Sequence, residues 1–232
     1  FLDGPDRKRI EILAGYLAGI HSRGRQSPRL YLRKVRDIIG HGECLMGVLD
    51  TYSEAGDAAG FTSLAEMADI EKSCVDWRAR LKPLTGRLCT IHGDFHPGNI
   101  LFGAADEFIL LDRSRGEYGD AADDLTAFAI NFIFFSLMEY GTMRSAYREA
   151  LEYFFDEYIR ETGDRQVLSV LGPFFAFRGA VVANPLFYPD VSFEVRSKIF
   201  GFVHGMLKSE VFDPAKVDEY MDYGIEYRKR FA

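Results

Sequence analysis

The sequence predicts a mainly helical α+β fold with a small β insert in the middle of the chain. Three observations carry this. Apolar residues recur at spacings of three and four before Pro83 and again after Asp120, the period of helices that bury one face. Between those limits they fall into three short runs, Leu88–Ile91, Ile100–Phe102 and Phe108–Leu111, punctuated by Gly and Asp as strands are. The chain has 232 residues, 47% of them hydrophobic and 14% aromatic, enough apolar material for a substantial core.

The elements follow in order. A first helix is expected over Asp6–Arg23, because Ile10, Leu13, Ala14, Leu17 and Ile20 share a face and Gly24 stops it. Pro28 opens a second helix through Leu32, Val35 and Ile39. Asp57–Gly60 reads as a loop. Ser63 is an N-cap with Glu66 three residues on, a capping box. Leu64, Met67, Ile70, Cys74, Trp77 and Leu81 then line one face of a long helix. In the insert, Gly103-Ala104-Ala105-Asp106 joins the second and third strands in a hairpin-like turn. Helices are expected near 121–140, 143–162, 165–183, 191–208 and 213–230, with Pro173 and Pro185 as kinks or boundaries. The most apolar stretch, Ala127–Met138, contains Asn131 and is shorter than the about 20 apolar residues that span a bilayer. It reads as a buried helix, with no membrane partner.

Composition narrows the function classes. Charged residues make up 27% of the chain, the formal net charge is −7 and the pI about 5.3. Nucleic acid is therefore not an expected partner, because phosphate contacts need clustered Lys and Arg. Cys44, Cys74 and Cys89 are dispersed among apolar neighbours, as buried free thiols in a reducing cytoplasm are. Asp3, Asp6 and Arg7 interrupt any early apolar run, so no signal peptide is expected and the expected location is cytoplasmic.

The chemistry lies in the insert. Phosphoryl transfer needs a group that orients or deprotonates the acceptor hydroxyl, and oxygen ligands for the metal ions that bridge the phosphates. One loop supplies both when an Asp and an Asn stand a few residues apart. From His92, the segment His92-Gly93-Asp94-Phe95-His96-Pro97-Gly98-Asn99 has the His-x-Asp-x-x-x-x-Asn spacing of a kinase catalytic loop. Asp112 ends the third apolar run, where a strand terminus can aim a carboxylate into a cleft. Another chemistry is compatible with part of this pattern. His92, Asp94 and His96 would alternate along an extended strand, as in a hydrolase metal triad. That reading leaves Asn99, Asp112 and the stretch 119–125 without a role.

The segment resembles the aminoglycoside phosphotransferase and choline kinase superfamily, which shares its fold with the protein kinases. The resemblance rests on His92–Asn99, on Asp112 eighteen positions after Asp94, and on Gly119-Asp120-Ala121-Ala122-Asp123-Asp124-Leu125. Leu17-Ala18-Gly19-Ile20-His21 is also similar to the family's first C-lobe helix. The resemblance implies that the chain, residues 1–232, is the C-terminal lobe of a kinase-like fold whose β hairpin insert carries the catalytic loop. It implies Asp94 as catalytic base, Asn99 and Asp112 as Mg²⁺ ligands, and His96 near the γ-phosphate. His92 and Asp124 would support the loop, and Gly98 would permit its tight turn. ATP would be the co-substrate, and the acceptor a hydroxyl of a small molecule such as an aminoglycoside, an amino sugar or a choline-like metabolite. After Asp112 there is no Phe-Gly and no Ala-Pro-Glu, so protein substrates are not expected.

Two departures from the family pattern stand out. Ser114, between Arg113 and Arg115, occupies a position that is often acidic. Nothing before Asp6 supplies the Gly-rich loop and strand Lys of an ATP-binding β lobe. The expectation is that this lobe is absent from the chain, that the chain alone turns over little, and that the alternative to an enzyme is a non-catalytic kinase-like binding module. Elsewhere, Phe132, Phe134, Phe135 and Tyr140 are expected in the core rather than at a cofactor site, and Phe174, Phe175, Phe177 and Arg178 in the core, with the lining of a substrate pocket between C-terminal helices as the alternative. His21, His41 and His204 are expected to be structural or superficial. Glu117, Asp120 and Asp123 read as a solvated acidic loop in which Asp120 caps a helix, or as a site for a cationic substrate.

Overall fold

A computed structural model describes residues 4–52, 61–113 and 116–231. The first half is helical: α1 Arg7–His21, α2 Pro28–Gly40, α3 Leu45–Asp50 and α4 Leu64–Leu81. Four short strands follow, β1 Leu88–Thr90, β2 Ile100–Phe102, β3 Phe108–Leu110 and β4 Tyr118–Asp120. The remainder is α5 Ala121–Tyr140, α6 Ser145–Thr162, α7 Gly172–Val182, α8 Phe193–Lys208 and α9 Val217–Arg228. The mainly helical α+β expectation holds. The loop expected at Asp57–Gly60, and the family position Ser114 with its neighbour Arg115, lie outside the described residues.

Local chemistry explains most boundaries. Asp6 caps α1 by accepting from the Lys8 and Arg9 amides. Gly141 and Gly163 end α5 and α6 in the left-handed conformation, at φ 69° and 71°. Three expectations need correction. The span 165–183 is not one helix: a 3₁₀ turn covers Arg165–Ser169, and α7 starts at Gly172. Pro173 then sits in the first turn, where its missing N–H costs nothing. The capping box at Ser63 is half formed. Ser63 Oγ accepts from the Glu66 amide at 3.2 Å, but the Glu66 side chain turns inward to His204 and Arg228. Leu64 begins α4 exposed rather than on its buried face.

Two small antiparallel ladders form the insert. In one, β1 pairs with β4, Cys89 opposite Gly119. In the other, β2 pairs with β3, Leu101 opposite Ile109. The turn between β2 and β3 carries Asp106 at φ 60°, and Lys8 of α1 reaches that carboxylate at 2.5 Å. Gly119 matters sterically, because a Cβ there would run into the Ile91 side chain.

The core is aromatic. α5 is long and apolar enough to cross a membrane on length and composition alone, yet most of it is buried within the protein. Phe128 packs on Phe132 and Phe154, with ring centroids 5.4 and 5.0 Å away. A second cluster joins Phe155, Phe175, Phe202 and Phe212. Each fully buried Phe contributes about 1.5–3 kcal/mol through removal of apolar surface from water. Phe132 and Phe134 are core as expected, but Tyr140 is exposed. α8 and α9 meet backbone to backbone: a Cβ on Gly224 would collide with the Gly201 carbonyl, and one on Gly205 with that of Tyr220. All three cysteines are buried and unbridged.

Candidate active site

The loop between β1 and β2 is held from beneath by one carboxylate. Asp124, in the first turn of α5, is fully buried. Its two oxygens accept from the backbone amides of His92 and Gly93, both at 2.7 Å. A buried carboxylate needs such donors to offset its desolvation. His21 Nε2 completes the set at 3.1 Å, and Tyr158 Oη contacts the other nitrogen of that ring at 3.0 Å. Gly93 adopts φ 91°, a conformation open to glycine and strained for other residues. It turns the chain so that Asp94 leaves the core.

The His92 ring stays behind. It is buried, lies edge-on to Phe95 at 5.8 Å, and its Nδ1 accepts from the Asp94 amide at 3.3 Å. The segment is a folded loop rather than a strand, so His92, Asp94 and His96 do not converge as a metal triad. Among the described residues no three His, Cys, Asp or Glu side chains do.

Asp94 meets an arginine that comes from far along the chain. Arg178 of α7 donates through Nη1 to Asp94 Oδ1 at 2.7 Å, and through Nη2 to Asp123 Oδ1 at 2.7 Å and the Gly93 carbonyl at 3.2 Å. Arg178 is 5% exposed. Burial alone would favour its neutral form, but the Asp123 and Asp94 charges and hydrogen bonds hold the guanidinium protonated above its ordinary range. The second oxygen of Asp94 faces His96, whose Nε2 lies 3.7 Å away.

Asn99 and Asp112 stand at the same end of the β2–β3 hairpin. The Leu111 amide donates to the Asn99 carbonyl at 2.9 Å, extending the ladder by one step. Asp112 follows at once, exposed and at φ 52°, a region that Asp tolerates better than most residues. Asn99 Nδ2 donates to the Asp94 carbonyl at 3.0 Å, which fixes the amide with its oxygen as the remaining donor atom. An amide oxygen and a carboxylate suit a hard divalent cation of the Mg²⁺ type. His96 Nδ1 accepts from the Gly98 amide at 3.1 Å, capping the 3₁₀ turn Pro97–Asn99. Gly98 is there for space rather than for unusual backbone angles, since a Cβ would approach His96 Cε1 to 2.8 Å.

Of the downstream acidic residues, Glu117 is exposed as expected, whereas Asp120 and Asp123 are buried. Asp120 caps α5 through the Ala122 amide, and accepts from Tyr31 Oη and from Arg87 at 2.9 and 3.0 Å. Asp123 is committed to Arg178. A cavity of about 240 Å³ opens beside Asp123, between α2, β4 and α7, with Lys34, Glu43, Tyr118 and Phe174 in its wall.

Arg178 is in the core, as its neighbours predict, and His21 is buried, yet both contact the loop or the carboxylate that holds it. A single charge in the run Phe174-Phe175-Ala176-Phe177-Arg178-Gly179-Ala180 was the available signal, because a buried arginine needs a buried partner. Tyr188 gave none. It stands in the α7–α8 connection, where burial, reinforced by the Asp94 charge, pushes its phenol up.

The model of the phosphotransferase enzyme family matches residues 3–164. No curated protein matches the chain. Among solved structures, a glucosamine kinase is similar at 14% identity and a TM-score of 0.42, covering 96% of this chain and 52% of the other. The same enzyme with glucosamine, ADP and phosphate gives 13% identity and a TM-score of 0.40, covering 95% and 53%. The chain thus spans about half the length of those kinase chains. More than half of the chain lies within the family match, so it belongs to the phosphotransferase enzyme family.

Proposed function

From that membership we propose that the chain is the C-terminal, acceptor-binding lobe of an ATP-dependent small-molecule kinase, which moves the γ-phosphate to a hydroxyl. One observation carries the reading. The loop that presents Asp94 and Asn99 is locked to Asp124, and the Leu111–Asn99 hydrogen bond brings Asp112 alongside.

Asp94 orients the acceptor hydroxyl and takes its proton as the oxygen attacks phosphorus. His96, beside that carboxylate, is placed to meet the phosphoryl oxygens. Asn99 and Asp112 would hold Mg²⁺, which would offset the charge of the phosphates. The acceptor is a small molecule, and the Glu43-bearing cavity beside Asp123 fits one with an amine, such as an amino sugar, an aminoglycoside or a choline-like metabolite. Such an enzyme would draw on ATP in the cytoplasm.

The test is a coupled ADP-release assay of the intact natural protein against a panel of amino sugars, aminoglycosides and choline analogues. Acceptor-dependent ADP release, abolished by Asp94→Asn, is the expected result. Equal rates with and without every acceptor would overturn the reading.

A further inference from the structure

Arg178 lies beyond residue 164, where the family match ends, and it touches the side chain proposed as the base. Its helix is otherwise apolar from Phe174 to Val182. A guanidinium drawn into such surroundings is strongly disfavoured unless it is paired and hydrogen-bonded. Here three acceptors meet it: Asp123 Oδ1, Asp94 Oδ1 and the Gly93 carbonyl. The acceptors are unequal. The Asp123 side chain is 6% exposed and that of Asp94 16%. One guanidinium faces two carboxylates, and the more exposed of the two is Asp94.

We propose that Arg178 is the positioning residue for Asp94: its planar fork, anchored on Asp123 and the Gly93 carbonyl, fixes the direction of the Asp94 carboxylate. The inference rests on the phosphotransferase reading of Asp94. It makes the helices after residue 164 part of the catalytic apparatus without their touching the reacting atoms. The fork is the reason for arginine. A lysine is a point charge and cannot span both carboxylates and the Gly93 carbonyl in one plane.

The experiment compares Arg178→Lys, Arg178→Met and Asp123→Asn in the intact natural protein. Arg178→Lys keeps the charge and loses the geometry. Its kcat should fall on the order of 100-fold with the KM for ATP unchanged, the penalty of a slightly misplaced catalytic group. Arg178→Met removes the fork altogether, and its kcat should fall further, again with the KM for ATP unchanged. Asp123→Asn removes only the anchor and should lower kcat less. Should Arg178→Met fail to fold, Arg178→Met with Asp123→Asn leaves one fewer unpaired buried charge and gives the same readout. The amide ¹H–¹⁵N signals of Gly93 and Asp94 report the position of the loop independently of turnover. Displaced signals together with a fall in kcat at unchanged KM support the proposal. Signals and kcat per folded molecule that stay put while only stability falls would overturn it, and Arg178 would be a structural strut. Absence of any phosphotransfer by the natural protein, with the signals still displaced in Arg178→Lys, would instead count against the proposed reaction and leave the positioning role standing.

Discussion

Arg178 and Arg228 are both guanidinium groups drawn into the protein to meet carboxylates, and they differ in where the chain of charges ends. Arg228, at the end of α9, binds Glu66 of α4 through Nε at 2.5 Å and Nη2 at 3.1 Å. It also donates to the carbonyls of Phe61 and Ser197. Glu66 in turn meets the fully buried His204 at 2.9 Å. That network ties α4, α8 and α9 together and runs on through Asp69 to Lys208, away from the His92–Asn99 loop. The Arg178 network terminates on Asp94, beside an exposed strand end. Charge burial is common to both, so burial does not by itself mark a site. What sets Asp94 apart is its place beside Asn99 and the exposed Asp112.

The sharpest division should come from Asp94→Asn. Turnover of the intact protein should drop about 100- to 10,000-fold, the usual weight of a general base, while the midpoint of urea unfolding shifts little. Arg228→Met should do the reverse. It strands Glu66 and should destabilise the fold by about 3–5 kcal/mol, read as a lower urea midpoint, with kcat per folded molecule retained. If kcat falls in step with stability in both variants, the two networks are not functionally distinct.

Asp124→Asn tests the border between them, because Asp124 is wholly buried yet holds the His92–Asn99 loop. Asn can accept from one of the His92 and Gly93 amides but not from both in the same way. About 1–3 kcal/mol should be lost for the amide left unpaired, with a fall in kcat alongside. Hydrogen exchange at the Gly93 amide should accelerate; an unchanged rate there would separate Asp124 from the loop.

The smallest effect concerns pH. Burial disfavours the ionised Glu66, but hydrogen bonds from His204 and Arg228 outweigh it and hold its carboxyl below the ordinary value of 4.5. A depressed folded-state value stabilises the protein above the unfolded value, and that stabilisation disappears as pH falls through the folded one. Stability should therefore decline below about pH 4.5, with a shallower slope in Glu66→Gln. An identical acid slope in the variant would remove Glu66 from the account.

Much of this protein could be read along the chain. Helix faces such as Ile10–Leu13–Leu17, the cap at Ser63, the span of α5 and the hairpin β2–β3 each rest on residues a few positions apart. The motif from His92 to Asn99 with Asp112 was legible for the same reason: the loop and the hairpin that present it are local. α3 and β4 were not legible. α3 is six residues long, too short to show a period, and β4 exists through its pairing with β1, about thirty positions earlier. Glu66 was misread because its position promised a cap, while burial between α8 and α9 offered stronger partners.

The sequence alone determined the class of fold, the phosphotransfer motif and the order of its parts. Tertiary structure decided which charges stand together. Arg178 and Asp94 are 84 positions apart, and His21 and Asp124 are 103 apart. No periodicity reaches across such distances. A lone arginine among phenylalanines announces that it needs a carboxylate, because an unpaired charge cannot be buried, but only packing α7 against α5 and the catalytic loop selects Asp94 and Asp123.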